Sequence, residues 1–288
     1  MKKLIFRILG LYLDVLAIIA PSAAGSKGFL LFCRPFRVPL NKKHLSFLET
    51  AEKFTLDIDG VRVQGFRWGH GPKQILFLHG WQSHSYQWKP YIEALSKSEF
   101  TIYSVDAPGH GLSSGNFLSV PLYSTLIETF IRLHGQMHAV VGHSLGGFSL
   151  LYTLYRVPDL PIERTILLAP PGEARDFISV FQKTLNLSER TLQLIIKHFA
   201  KTYDVTPDFF SSRKFVEGLR VKGLIIHDED DAEAPYEYAA PLQESWQYAR
   251  LVTTKGFGHN LRSPVVVREV VNFLHEPADH VSLVSSAV

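Results

Sequence analysis

From Glu52 onward the hydrophobic positions keep changing period. Two alternating runs, KFTLDI and VRVQGFRW, flank Asp59-Gly60 and predict a pair of antiparallel strands joined by a tight turn. Short, nearly unbroken apolar runs follow: QILFLH (74–79), FTIYSVDA (100–107), HAVVGH (138–143), RTILLAP (164–170) and VKGLIIH (221–227), with RLVTTK (250–255) last. Between them lie segments with helical periodicity: WKPYIEALSKS, PLYSTLIETFIRLHG with Pro121 near its start, LGGFSLLYTLYRV, YEYAAPLQESWQYA and PVVVREVVNFLH. Strands apolar on both faces, alternating with helices, predict an α/β protein. Its mostly parallel, twisted sheet would carry helices on both faces, and the hairpin would add antiparallel strands at one edge.

The alternation pauses at 172–218, a polar and helical insertion containing ERTLQLIIKHFAKTY. The pattern therefore divides the chain into an N-terminal apolar helix and arm (1–50), a core (51–171 and 219–276), the helical insertion (172–218) and a tail (277–288). The N-terminus, MKKLIFRILGLYLDVLAIIAPSAAG, has the outline of a secretory signal, but Arg7 and Asp14 interrupt its apolar run. Leu4 to Ala20 is shorter than the roughly 20 apolar residues a membrane span needs. On a helix Arg7, Gly10 and Asp14 fall on one narrow stripe and the rest is apolar. Such a helix either packs on the body of the protein or lies in a membrane interface, and both are favoured over a cleaved signal or a span. The expectation is a cytoplasmic protein with this helix as its candidate peripheral membrane contact. Residues 28–40, GFLLFCRPFRVPL, end in prolines and basic residues and read as an arm along the surface.

Composition narrows the function. A chain of 288 residues, 46% hydrophobic and 20% charged, can bury a substantial core. The net charge of +3 comes with no Lys/Arg block and no repeated stacking motif, which argues against nucleic acid as a partner. Cys33, the single cysteine, can form neither an internal disulfide nor a zinc cluster and reads as a buried, inert thiol. There is no HExxH, no compact His/Asp ligand set, no phosphate-loop lysine after the glycines that follow Ser144, and no pyridoxal-phosphate or flavin fingerprint. Neither a cofactor nor a metal is expected.

In parallel α/β sheets ligands gather beyond the carboxyl ends of the strands. His79-Gly80-Trp81, Asp106, Ser144 and the acidic run HDEDDAEAP (227–235) all fall at such ends. Gly142-x-Ser144-x-Gly146 lies directly between a strand and a helix. A sharp turn there exposes a serine hydroxyl, glycines allow close backbone approach, and the helix N-terminus favours developing negative charge. A serine hydroxyl needs a base. Among 13 histidines His259 is the best placed, in a glycine-flanked loop after a strand, and an ordinary histidine pKa of about 6.5 suits proton exchange near neutrality.

On the motifs HGW (79–81), DAPGHGLS (106–113), GHSLGG (142–147), HDEDDAEAP and GFGHN (256–260), the chain resembles the α/β-hydrolase fold family over about residues 54–275. The motifs stand in that family's order of nucleophile, acid and histidine. FCRPFR in the arm and LLAPPG (167–172) are similar to a bacterial branch of it. The resemblance implies Ser144 as nucleophile, His259 as base, and an oxyanion hole made by the backbone N–H groups of Trp81 and Leu145. It puts the acid at Asp231, with Asp230 as a rival one residue away. Asp228 stands where the family usually has glycine, and Ala234 where it has valine. Asp106 would brace loops. The insertion 172–218 would be a small cap, whose Leu185, Leu187, Leu192, Leu194, Ile195, Ile196 and Phe199 either cover an apolar acyl site or pack on the body. The implied activity is cleavage of a carboxylic ester in a small acyl substrate. Carbon–carbon bond hydrolysis or acyl transfer would use the same residues. A ligand-binding protein without turnover is the alternative from another class. A serine nucleophile argues against dehalogenase and epoxide-hydrolase chemistry.

Overall fold

The computed structural model describes residues 2–277, so the tail expected from 277 lies, beyond its first residue, outside the described residues. Strands β1 (Glu52–Ile58) and β2 (Val61–Trp68) form the antiparallel hairpin. Its turn residues Asp59 and Gly60 take φ of 50° and 77°, the left-handed pair that matches the twist of the flanking strands. The other strands are β3 (Lys73–Leu78), β4 (Phe100–Val105), β5 (Ala139–His143), β6 (Arg164–Leu168), β7 (Lys222–Asp228) and β8 (Ala249–Thr254). They form one sheet in the order β1-β2-β4-β3-β5-β6-β7-β8. All pairs beyond β2–β4 are parallel. Every residue of β4, β5 and β6 is buried, which is why these strands read as unbroken apolar runs rather than alternating ones.

The helices are α1 (Lys2–Ile19), α2 (Pro21–Phe32), α3 (Lys42–Leu48), α4 (Lys89–Ala94), α5 (Val120–His134), α6 (Leu145–Arg156), α7 (Ala174–Leu185), α8 (Glu189–Tyr203), α9 (Ser212–Val216), α10 (Ala239–Ser245) and α11 (Pro264–His275). Successive residues of β3 point to opposite faces. Leu76 and Leu78 join the core under α5 and α6, while Ile75 and Phe77 join the core under α4 and α11.

The N-terminal segment differs from its expected form. Helix continues through α2 to Phe32, and only residues 34–41 are extended. Arg37 ties that extended stretch down by donating to the carbonyls of Gly111, Ser113 and Gly115. The glycines of α2, poor helix formers by themselves, serve close packing against α8. A Cβ at Gly25 would lie 2.6 Å from the Leu194 carbonyl oxygen, and one at Gly28 2.5 Å from the Ile195 side chain.

Three of the apolar residues of the insertion pack beside the N-terminal helices. Leu185, Ile195 and Phe199 are buried in one core cluster with Leu13 of α1 and Phe29 of α2. They face the N-terminal helices, because α1 and α2 lie against α7 and α8. Helix α1 docks through buried Leu13 and Ala17 and, beside them, Asp14. Asp14 accepts hydrogen bonds from the Ser188 N–H at 3.0 Å, Ser188 Oγ at 2.7 Å and Thr191 Oγ1 at 2.6 Å, at the N-terminus of α8. Burial pushes the Asp14 carboxyl up, but these bonds outweigh it and hold the group below its usual range.

Candidate active site

Ser144 is the hinge between β5 and α6. Its φ of 49° and ψ of −122° hold it in a strained turn that leaves the hydroxyl at the top of the sheet. Two glycines permit the turn. A Cβ at Gly142 would come within 2.5 Å of the Gly147 Cα, and one at Gly146 would strike the Leu78 carbonyl and lie 2.7 Å from that of His79. Leu145 is the first residue of α6, so its N–H has no carbonyl of its own helix to bond.

The three side chains expected from the sequence meet at this point. Ser144 Oγ lies 2.9 Å from His259 Nε2, and His259 Nδ1 lies 2.8 Å from Asp231 Oδ2 and 3.1 Å from Oδ1. A carboxylate accepts only, so Nδ1 carries the proton and Nε2 is left to accept from the serine hydroxyl. Asp231 is held from several sides. Its Oδ1 accepts the N–H groups of Glu233 and Ala234, each at 2.9 Å. His227 Nε2 lies 2.9 Å from the Ala234 carbonyl and 3.3 Å from Asp231 Oδ2, so it too must carry a proton. Burial pushes the Asp231 carboxyl up, but the bonds from His227, His259 and Ala234 prevail and keep it well below the usual carboxylate range.

The rival acid points elsewhere. Asp230 accepts the Gly256 N–H at 3.1 Å. Asp228, which the sequence leaves as either a solvated acid or a brace for the loop, is a brace. Its buried carboxylate takes Thr254 Oγ1 at 2.8 Å and the Phe257 N–H at 3.0 Å through Oδ2, and the Asp230 N–H at 3.1 Å through Oδ1. It thereby fastens the His259 loop to the end of β7. The departure from glycine at this position was the available signal. Burial raises the Asp228 carboxyl, and its hydrogen bonds bring it net below the usual range.

The remaining residues of the motifs shape the loops. Trp81 is partly buried, edge-on to His110 with ring centroids 5.4 Å apart. The next residue, Gln82, has φ of 51° and donates its N–H to His110 Nε2 at 3.0 Å. Tyr123 OH donates to the His79 carbonyl at 3.0 Å, and His79 Nε2 accepts the Ala107 N–H at 2.9 Å. Asp106 accepts both the N–H and Oγ of Ser85 at 2.7 Å and the Leu112 N–H at 2.8 Å, so it braces the two loops beside the serine. His143 points away from the serine hydroxyl, toward the His259 carbonyl at 2.8 Å. Burial lowers the pKa of His143 to about 4 and those of His79 and His110 to about 3, so all three are neutral near pH 7. Among the described residues, no three His, Cys, Asp or Glu side chains are grouped to hold a metal ion.

A family model describing the alpha/beta hydrolase family matches residues 75–279, more than half of the chain. The chain belongs to this family. A bifunctional esterase/perhydrolase of Acinetobacter calcoaceticus is 24% identical over 262 residues, 74% of this α/β-hydrolase and 94% of that protein. A serine hydrolase-like protein of Danio rerio is 30% identical over 152 residues, 47% of this chain and 44% of the other. A pimeloyl-acyl-carrier-protein methyl ester esterase of Nitrosomonas europaea is 30% identical over 143 residues, 49% and 53% of the two chains. This chain spans less than two thirds of the length of these last two relatives. Among solved structures, an esterase from Exiguobacterium antarcticum superposes with a TM-score of 0.62 at 17% identity, covering 78% of this chain and all of that one, 100%. An esterase from Butyrivibrio proteoclasticus with bound ferulic acid gives 0.60 at 19%, covering 77% and 97%. At such identities these two likenesses bear on the fold.

Proposed function

We propose that the protein is a serine hydrolase that cleaves a carboxylic ester of a small molecule through an acyl-enzyme on Ser144. The observation that carries the reading is the continuous relay from Ser144 Oγ through His259 to Asp231. His259 Nε2 takes the hydroxyl proton as Ser144 Oγ attacks the ester carbonyl. The N–H groups of Leu145 and Trp81 receive the oxyanion, and Asp231 stabilises the imidazolium. His259 returns the proton to the leaving alcohol. Water then attacks the acyl-enzyme with His259 again as base, releasing the acid and restoring the serine. Asp228 and Asp106 act at one remove, by fixing the loops that carry His259 and Trp81. The relatives named as esterases support the ester as the bond cleaved. In this reading 51–171 and 219–276 form the catalytic core and 172–218 its cap, with the N-terminal helices backing the cap.

The test is an ester panel. Purified protein should hydrolyse p-nitrophenyl esters and be labelled on Ser144 by a fluorophosphonate. Ser144→Ala should lose about 10⁴-fold or more in turnover and all labelling. Turnover that survives in Ser144→Ala would remove the nucleophile. Absence of both turnover and labelling would leave a binding protein.

A further inference from the structure

Helix α1 is apolar on the face it packs against the protein and apolar again on the face it exposes. On the inward face Leu13 and Ala17 are buried, Asp14 bonds α8, and Gly10 meets the Leu185 carbonyl so closely that no Cβ would fit. Six other large aliphatic positions face out. Leu4, Ile8, Leu11, Val15, Ile18 and Ile19 are each 50–73% exposed. The first five are spaced three or four apart and, with Ile19 beside Ile18, form one stripe along the helix. Eighteen residues of helix span about 27 Å, and a continuous apolar stripe of that length is more than the scattered exposed side chains of an ordinary surface. No described helix is long and apolar enough to cross a membrane.

Charge says what the stripe meets. Residues 1–48 hold eight Lys and Arg and a single acid, Asp14, in a chain whose net charge is only +3, so the remainder is net acidic. That one acid is spent on α8. Arg7 is exposed and borders the stripe on one side by helical position. On the other side stands Tyr12, whose hydroxyl accepts from Lys27 Nζ of α2 at 2.9 Å. Beside Tyr12 a groove of about 320 Å³ opens between α1 and α2, with Lys27 and Arg34 among its lining and apolar walls that include Leu9, Leu30 and Phe117. No acid lines it. Cations flanking an apolar stripe suit a surface that is apolar below and anionic at its boundary. A symmetric pairing of two copies through this face would instead bring like charges together.

We propose that α1 and α2 form a docking platform for an anionic lipid bilayer. The stripe of α1 lies in the acyl–headgroup boundary, and Lys27 and Arg34 receive a lipid phosphate at the groove. The platform goes beyond the catalytic reading and does not depend on it.

The test uses full-length protein in vesicle sedimentation, which reads binding without turnover. Vesicles of phosphatidylcholine alone are compared with vesicles containing about one third phosphatidylglycerol, with ionic strength as a second variable. The wild type should bind the anionic vesicles about tenfold or more better, and salt should weaken that binding. The variant Ile8→Gln/Leu11→Gln/Val15→Gln/Ile18→Gln should lose binding to both vesicle types. Lys27→Glu/Arg34→Glu should lose only the preference for anionic lipid. These positions are solvent-facing or line an open groove, and circular dichroism would verify that each variant folds. Three outcomes overturn the proposal. One is a wild type that does not bind anionic vesicles. Another is a glutamine variant that binds as the wild type does. The third is a wild type that sediments as a dimer, becomes monomeric on the glutamine changes and ignores vesicles.

Discussion

Asp231→Asn should disable the enzyme without unfolding it, and the geometry says how. Oδ1 of Asp231 receives two backbone N–H groups, from Glu233 and Ala234, whereas Oδ2 receives His259 Nδ1 and His227 Nε2. An asparagine must keep its carbonyl oxygen at the Oδ1 position, since the opposite orientation would aim its NH₂ at two N–H donors. Each backbone bond contributes about 0.5–1.5 kcal/mol, and a stranded donor costs about 1–3 kcal/mol, so this orientation is strongly preferred. The NH₂ then occupies the Oδ2 position, 2.8 Å from His259 Nδ1. It can bond there only if Nδ1 gives up its proton, which moves the imidazole to the tautomer protonated at Nε2. That nitrogen now donates toward Ser144 Oγ and cannot accept its proton. A tautomer error of this kind costs on the order of 10⁴ in kcat, or about 5 kcal/mol of barrier. Asp230→Asn removes an acceptor only from the Gly256 N–H and should cost less than about tenfold. The assay is kcat/KM on a p-nitrophenyl ester, paired with the second-order rate of fluorophosphonate labelling. If Asp231→Asn retained activity within tenfold of wild type, or lost less than Asp230→Asn, the tautomer argument would be wrong.

Other outcomes follow from the same contacts. Asp228→Ala strands the Phe257 N–H and Thr254 hydroxyl, so denaturant titration should show a loss of about 2–4 kcal/mol; kcat should fall while KM changes little, because the loop it holds carries His259 rather than a substrate contact. Gly146→Ala drives a methyl group into the Leu78 carbonyl and should leave a protein that melts lower and is not labelled at Ser144. Asp14, Asp228 and Asp231 are all held below their ordinary pKa in the folded state. The stability they contribute is therefore complete above the unfolded aspartate value of about 3.9 and lost as pH falls below it through the folded values. The urea midpoint should stay level from pH 7 to about 5 and drop below about 4, and Asp228→Asn should reduce that drop; an undiminished drop in the variant would exclude Asp228 as a contributor.

Several features could be read before any fold was known, because their causes are local. β4, β5 and β6 are buried on both faces, so each had to be written as a run of apolar residues. The hairpin turn needed two left-handed residues and has Asp59-Gly60. Gly142 and Gly146 frame a serine because no side chain fits beside that turn. What stayed hidden depends on groups distant in the chain. Asp230 and Asp231 differ by one residue of backbone direction. Only the path of the loop from β7 sets Asp231 against His259, 28 residues on, and turns Asp230 to Gly256. Asp228 could be a solvated acid or a loop brace until β8 brings Thr254 and Phe257 to it. The N-terminal helices carry the same lesson furthest. The sequence determined that α1 would have a polar stripe and an apolar remainder, since periodicity alone sets that. Which positions turn inward was decided by tertiary structure: Ser188 and Thr191 at the start of α8 offered Asp14 donors, Leu13 and Ala17 were buried with it, and the stripe from Leu4 to Ile19 was left facing out.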